Sequence, residues 1–307
     1  MYIYKTKFEG HSEELIKYEM TSIFKQDVND EFIITDYEVN PNRSYYLNYR
    51  IDIMASGDTV DEMLPTIKGL GLDYNGFKIE FINVKSDVMA YNTRINYCRA
   101  IADLIEGYGQ MKEPSITFVV TLIGDTWYFG KLIRNDRDFE KLQAKLHTYS
   151  HSMSCELSRT VVNIACGQSK PKLIDPCCGI GTVIAEAIDM GYEIEGTELN
   201  WLVFDKARSN LEKLGMPIVI KRQDMHEIET KYDVSILDIP YGLMSKTTAE
   251  LQTGLISKCF DISDKLVLVS NEDASSLIAN TKWSLRDKIT IPKANYKFTR
   301  YVYILDK

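Results

Sequence analysis

Metal-binding cysteine pairs are missing from this 307-residue sequence: Cys98, Cys155, Cys166, Cys177, Cys178 and Cys259 form no CxxC and no Cys/His ligand spacing. Six such cysteines suit reduced thiols in a cytoplasm and argue against zinc, so no metal is expected. The N-terminal "MYIYKTKFEG" lacks a cationic stretch followed by an apolar run, so no secretory leader is expected. Long hydrophobic runs are absent too. The longest apolar-rich stretch, "ITFVVTLI" at residues 116–123, is far too short to span a bilayer, and no membrane association is expected. Positive charge is scarce: 36 Lys and Arg face 44 Asp and Glu, a net charge of −8, which speaks against wholesale binding of polyanions. One local exception stands out. Between residues 282 and 300 lie Lys282, Arg286, Lys288, Lys293, Lys297 and Arg300 against Asp287 alone, interleaved with Tyr296, Phe298 and, just beyond, Tyr301 and Tyr303. Such a strip can contact phosphates, or it can be an edge hairpin whose lysines discourage strand pairing.

The second half alternates short strands and helices. "KLID" (172–175), "YEIEGTE" (192–198), "IVIKRQD" (218–224), "DVSILD" (233–238) and "KLVLVS" (265–270) read as strands. Between them "GTVIAEAIDM" (181–190), "WLVFDKARSNLEKLG" (201–215) and a segment within 247–261 read as helices. This pattern predicts an α/β domain with a doubly wound parallel sheet, closed by an antiparallel hairpin, "WSLRDKITI" and "KFTRYVYIL", at its edge. In the first half, strand-like runs around residues 1–8, 32–39, 44–56, 77–84 and 115–133 surround helical stretches at 11–26, 58–69 and 91–109. That composition predicts a smaller α+β domain with an antiparallel sheet. The expected division is residues 1–145, including a linker, and residues 146–307.

"LIDPCCGIGTVIAEA" is a strand, a Gly-x-Gly turn (Gly179, Gly181) and a helix, the layout in which a backbone loop and a helix N-terminus face a ligand. Seventeen residues beyond Gly181 the next strand ends on Glu198, placed to accept from ribose hydroxyls, and a further strand ends on Asp224. Either a dinucleotide or S-adenosylmethionine fits this plan. Ile184 occupies the third glycine position of the dinucleotide fingerprint, which weakens that choice. Asp175 would repel a pyrophosphate yet attract a cationic amino-acid moiety. The three acids also suit helix N-caps, above all Asp224. Cys177 and Cys178 read as small apolar groups under a crowded turn.

"SILDIPYGLM" (235–244) is a buried strand that stops on a carboxylate. Exocyclic amines of nucleobases are poor nucleophiles, so a site that methylates one must accept its N–H bonds and align the nitrogen. Asp238 and the carbonyl of Ile239 offer the two acceptors, Pro240 stiffens the backbone, and Tyr241 supplies a ring on which an extruded base stacks, worth roughly 1–3 kcal/mol.

This tetrapeptide resembles the Asp/Asn-Pro-Pro-Tyr motif of amino-methyltransferases. With "DPCCGIGTVIAEA" and "HTYSHSMSCELSRTVVNIA" (147–165), the chain resembles the guanine-N2 tRNA methyltransferases that carry an N-terminal THUMP domain, most strongly from His147 to Gly242. The resemblance implies a Rossmann-like, S-adenosyl-L-methionine-dependent RNA methyltransferase of the cytoplasm, preceded by a THUMP-like RNA-binding domain. It implies that Asp175, Cys177, Gly179 and Gly181 line the cofactor, that Glu198 holds its ribose, and that Asp224 lies by its adenine. The catalytic part falls on Asp238, Ile239, Pro240 and Tyr241, and the substrate on RNA, with guanine 10 of tRNA the family's usual target. Ile239 stands where the family has its first proline, as in dimethyladenosine transferases, so an adenine-N6 methyltransferase of rRNA or DNA stays open. A non-catalytic cofactor- and RNA-binding protein and a nicotinamide-dependent oxidoreductase are further alternatives. Residues 1–150 carry 17 Lys and Arg against 23 Asp and Glu, an acidic balance for an RNA-docking half. Neither a protein partner nor the oligomeric state is legible.

Overall fold

A computed structural model describes residues 1–8, 13–83, 89–140, 153–240, 248–292 and 299–307. Its first half holds β1 (Tyr2–Thr6), α1 (Glu13–Phe24), β2 (Phe32–Thr35), β3 (Leu47–Gly57), α2 (Val60–Gly69), β4 (Asp73–Ile82), α3 (Tyr91–Ala102), β5 (Glu106–Gly109), β6 (Ile116–Ile123) and β7 (Thr126–Arg134). The second half holds α4 (Cys155–Cys166), β8 (Leu173–Asp175), α5 (Thr182–Asp189), β9 (Ile194–Thr197), α6 (Trp201–Leu214), β10 (Ile220–Lys221), β11 (Tyr232–Asp238), α7 (Ala249–Ile262), β12 (Ser263–Ser270), α8 (Ser275–Ala279), β13 (Ser284–Pro292) and β14 (Thr299–Asp306). None of the described helices is long and apolar enough to cross a membrane.

The chain forms two compact units, one of Met1–Lys7, Asp30–Pro41 and Leu47–Asp136, the other of Phe8–Asn29, Asn42–Tyr46 and Arg137–Lys307. A single cut near residue 145 therefore does not describe the division, because α1 belongs with the second unit.

The first unit is built on a seven-stranded sheet ordered β2-β1-β3-β7-β6-β4-β5. It is mixed, where an antiparallel sheet was expected: β4 runs parallel to both β5 and β6. The reason is the α3 crossover, which returns the chain to the same end of the sheet before the next strand begins. The helix expected over 91–109 accordingly stops at Ala102, and 106–109 becomes β5. Period-two alternation sends Phe118 and Val120 into a core with α2 and α3, and Val119 into a smaller cluster with Ile3 and Ile51.

In the second unit the sheet order is β10-β9-β8-β11-β12-β14-β13. Strands β8 to β12 pair parallel; β14 inserts antiparallel beside β12, and β13 forms the edge. The doubly wound sheet and its edge hairpin are thus as expected. Both faces are covered: Val267, Val269, Val302 and Ile304 enter one core, while Leu266, Leu268, Tyr303 and Leu305 enter the other.

The Arg-x-x-x-Asn pair of α4 does structural work here. Arg159 is buried and donates to Glu186 and, at 2.7 Å, to Asp189. One turn on, Asn163 donates to the Glu19 carboxylate of α1 at 2.6 Å. Burial pushes the Glu19 carboxyl up to about 7, against the opposing pull of the Asn163 amide. A carboxyl raised in this way contributes stability that is complete below its unfolded pKa and is lost as pH rises through about 7. Glu19→Gln is expected to raise the melting temperature over wild type more at pH 8 than at pH 5, equivalent to roughly 1–3 kcal/mol. Equal shifts at both pH values would contradict that.

Candidate active site

Strand order reverses at β8, with β9 and β10 on one side and β11 and β12 on the other. Open α/β sheets bind ligands outside the carboxyl ends of their strands at such a switch point. A cavity of about 830 Å³ lies there, a size typical of small-molecule sites. Of the residues expected at the site, all that are described line it except Gly181; Tyr241 lies outside the described residues. His147, His151, Tyr296 and Phe298 also fall outside them.

The loop after β8 takes its shape from two left-handed glycines, Gly179 at φ +55° and Gly181 at φ +82°. Gly181 is the N-cap of α5, and its N–H donates to the Cys178 carbonyl at 2.8 Å. Loop and acid hold each other. One Glu198 carboxylate oxygen accepts from Gly179 N–H at 3.1 Å and the other from Asn200 N–H at 2.7 Å. Close packing of helix on strand comes from Gly196 on β9: a Cβ there would sit 2.9 Å from Ile184 Cδ1. The glycine that a dinucleotide loop carries on the helix is here on the strand, which accommodates Ile184.

Asp175 is buried at the end of β8 and accepts weakly from Cys177 N–H at 3.3 Å. Burial, reinforced by the charges of Asp238 and Glu198, pushes its carboxyl well above the usual range. A cationic ligand group would relieve that. Asp224 caps the short turn Met225–Glu227: its Oδ1 accepts from the His226 N–H and faces His226 Nδ1, each at 2.9 Å. Its capping and its place in the cavity wall coexist. The strand expected over 218–224 shrinks to Ile220–Lys221.

Across the cavity, β11 ends at Asp238 and is pinned beyond it. Ile239 N–H donates to the Val269 carbonyl at 3.0 Å, and the Pro240 carbonyl accepts from Gln252 Nε2 at 3.1 Å. The Ile239 side chain packs in the core with Leu255 and Ile256. Asp238 Oδ1 is buried and has no hydrogen-bond partner among the described residues. Burial raises its carboxyl to about 7, with the Arg300 charge pulling the other way.

Sequence reasoning passed over Leu199 and Trp201, which line the cavity mouth and are 63% and 59% exposed. Their signal was bulky apolar residues just after an acid that ends a strand. His226 was missed as well; an Asp-x-His spacing at a strand end is its only mark. Among the described residues no group of three or more His, Cys, Asp or Glu is placed to hold a metal ion.

Residues 144–282, somewhat under half of the chain, match the family UPF0020: RMKL-like, methyltransferase domain. A tRNA (guanine(10)-N2)-dimethyltransferase of Methanothermobacter thermautotrophicus is 25% identical over 171 residues, 52% of this chain and 50% of that protein. Its namesake in Methanocaldococcus jannaschii is 27% identical over 157 residues, 46% of this chain and 45% of the relative. The match thus spans about half the length of these curated relatives. Among solved structures, TrmN from Thermus thermophilus superimposes with a TM-score of 0.51 at 14% identity, covering 100% of this chain and 99% of that one.

Burial also lifts the Cys177 and Cys178 thiols well above their ordinary range, with Asp175 adding to it, so neither is a ready thiolate. Both are expected to react with iodoacetamide at pH 8 at least ~10-fold more slowly than free cysteine, followed by mass spectrometry. Labelling at the free rate would point to nucleophilic chemistry instead. Sequence match and topology agree: residues 144–282 are similar to the RMKL-like methyltransferase domain, and the described residues of the second unit have the mixed α/β methyltransferase fold.

Proposed function

We propose that this chain transfers a methyl group from S-adenosylmethionine to the exocyclic N2 amine of a guanine in structured RNA, with tRNA as the substrate class and guanine 10 as the first position to examine. The observation that carries this reading is the buried Oδ1 of Asp238, which has no hydrogen-bond partner among the described residues, next to a backbone end pinned on both sides. A buried acceptor without a donor costs about 1–3 kcal/mol, and an incoming N–H removes that cost. The names of the curated relatives point the same way.

S-adenosylmethionine suits the opposite wall, and when bound it supplies an electrophilic methyl group. Glu198 would accept from the ribose hydroxyls, Asp175 would face the amino-acid moiety, the Gly179 turn would let the backbone approach, and Asp224 would lie by the adenine. The ionised Asp238 accepts one amine N–H and the Ile239 carbonyl the other, which orients the nitrogen lone pair. As the nitrogen takes the methyl group, whose bond to the sulfonium would break and leave a neutral thioether, the nitrogen becomes positive; its proton passes to Asp238 and from there to water. No covalent enzyme intermediate is needed, and positioning with electrostatics carries the rate. The first unit is read as a THUMP-like module that docks the RNA.

Asp238→Ala is expected to lower methyl incorporation into tRNA by roughly 100-fold or more while leaving the S-adenosylmethionine Kd, measured by calorimetry, nearly intact. Glu198→Ala should instead weaken cofactor binding by about 10-fold. An Asp238→Ala enzyme that keeps most of its turnover removes Asp238 from the mechanism. Because only the ionised carboxylate can take up the amine proton, kcat/KM should rise with pH through about 7 and then level. A profile flat from pH 5.5 to 8.5 would contradict the assignment.

A further inference from the structure

A second cavity, of about 600 Å³, lies in the second unit at the sheet edge opposite the candidate active site. Asp233 and Val234 line it from the start of β11, and Lys265 from the start of β12. Asp238 ends β11 roughly 13 Å further along the strand. The other walls come from the chain just after α1, the loop after α4 and the edge strand β13, which contribute Lys25, Gln168, Lys170 and Arg286.

Four cations meet one carboxylate in this lining, in a chain whose net charge is −8. Asp233 accepts from the Lys172 backbone N–H at 2.6 Å, and Arg286 Nε donates to Asp306, outside the lining, at 2.6 Å. Four cations less these two acids leave an excess of two positive charges. The carbonyl end of α4, which would otherwise suit a cation, is already occupied. Lys265 Nζ donates to the Ile164 carbonyl at 2.7 Å and to the Ala165 carbonyl at 3.1 Å. Ser169 donates to the Cys166 carbonyl through its N–H and its hydroxyl, and Arg43 donates to the Gly167 carbonyl. Burial, with the Arg286 charge added, pulls the Lys265 ammonium below its usual range, and an anion would relieve it. The group left over is a donor: Gln168 Nε2 is buried and has no hydrogen-bond partner among the described residues. Only an acceptor repairs that.

We propose that this cavity is a second binding site, separate from the candidate active site, for a phosphate-bearing anion, with Lys25, Lys170, Lys265 and Arg286 supplying charge and the Gln168 amide a directed donor. A phosphate carries up to two negative charges and several strong acceptor oxygens, so it meets the charge excess and the unmet N–H together. A monocarboxylate would meet only half of the charge. A free phosphate compound and a backbone phosphate of RNA share this chemistry. Neither the methyl acceptor nor Asp238 enters into it.

Calorimetry of the full chain with inorganic phosphate, against sodium chloride of equal ionic strength, tests the site. Wild type should bind phosphate with a Kd of about 1 mM or tighter. Lys25→Gly combined with Lys170→Ala should weaken that at least ~10-fold while leaving the S-adenosylmethionine Kd unmoved. This double variant is expected to fold, because Lys25 lies at φ +53°, a left-handed position that glycine adopts more readily, and Lys170 is exposed. Gln168→Leu removes the unmet donor, so it should weaken phosphate binding while the melting temperature of the free chain stays level or rises. A lower melting temperature with unaltered phosphate affinity would overturn the role given to Gln168. Filter binding of a tRNA transcript over a range of salt separates the two sources. An RNA phosphate in the site predicts weaker tRNA binding by the double variant and a salt slope smaller by about 1; a free phosphate compound predicts neither. Phosphate that binds wild type and the double variant alike overturns the proposal. So does no phosphate binding up to about 10 mM together with an unaltered tRNA salt slope.

Discussion

A carboxylate oxygen buried at the end of β11, with no donor among the described residues, is the constraint on which the site depends. Such a group costs about 1–3 kcal/mol, and a strand end free to move would turn it toward solvent. It stays because β11 is laddered to β8 and β12, because Ile239 continues that ladder for one more bond, and because α7 holds the Pro240 carbonyl. Burial also brings the Asp238 carboxyl up to about 7, so its charge is decided near neutral pH. One placement thus produces both an acceptor seeking a donor and a proton site tuned to the working range.

The facing wall is assembled differently. There the backbone does most of the work: two left-handed glycines turn the chain, and Glu198 ties that turn to the start of α6 through Gly179 and Asn200. Acid and loop are mutually fixed, so the carboxylate is preorganised for a polar ligand. The cavity between the walls sits where the strand order reverses, and the parallel topology alone opens a crevice there.

Much of this was legible in the sequence, for reasons that can be named. Strands β8, β9 and β11 each end at or beside an acid, and the helices between them carry apolar periodicity, so local pattern and global fold agree. The strip from Lys282 to Arg300 was readable as an edge hairpin because its apolar residues alternate. What local pattern does not encode is pairing. The insertion of β14 between β12 and β13, the parallel neighbours of β4, and the membership of α1 in the second unit depend on contacts far apart in sequence. Asn163 and Glu19, 144 residues apart, illustrate the last case. Ile184 looked like a departure from a glycine fingerprint, and only the approach of α5 to Gly196 shows where the missing space went. Asp224 shows the reverse: as a strand-end acid it suggested a ligand contact, and as a cap it holds its own turn.

The central claim is that Asp238 exists to receive an exocyclic guanine amine opposite a methyl donor. Incubating the chain with tRNA and S-adenosylmethionine bearing a deuterated methyl group, followed by mass spectrometry of the digested nucleosides, tests it most directly. The account predicts the label in N2-methylguanosine. Label confined to N6-methyladenosine, or to any position other than guanine N2, would contradict it.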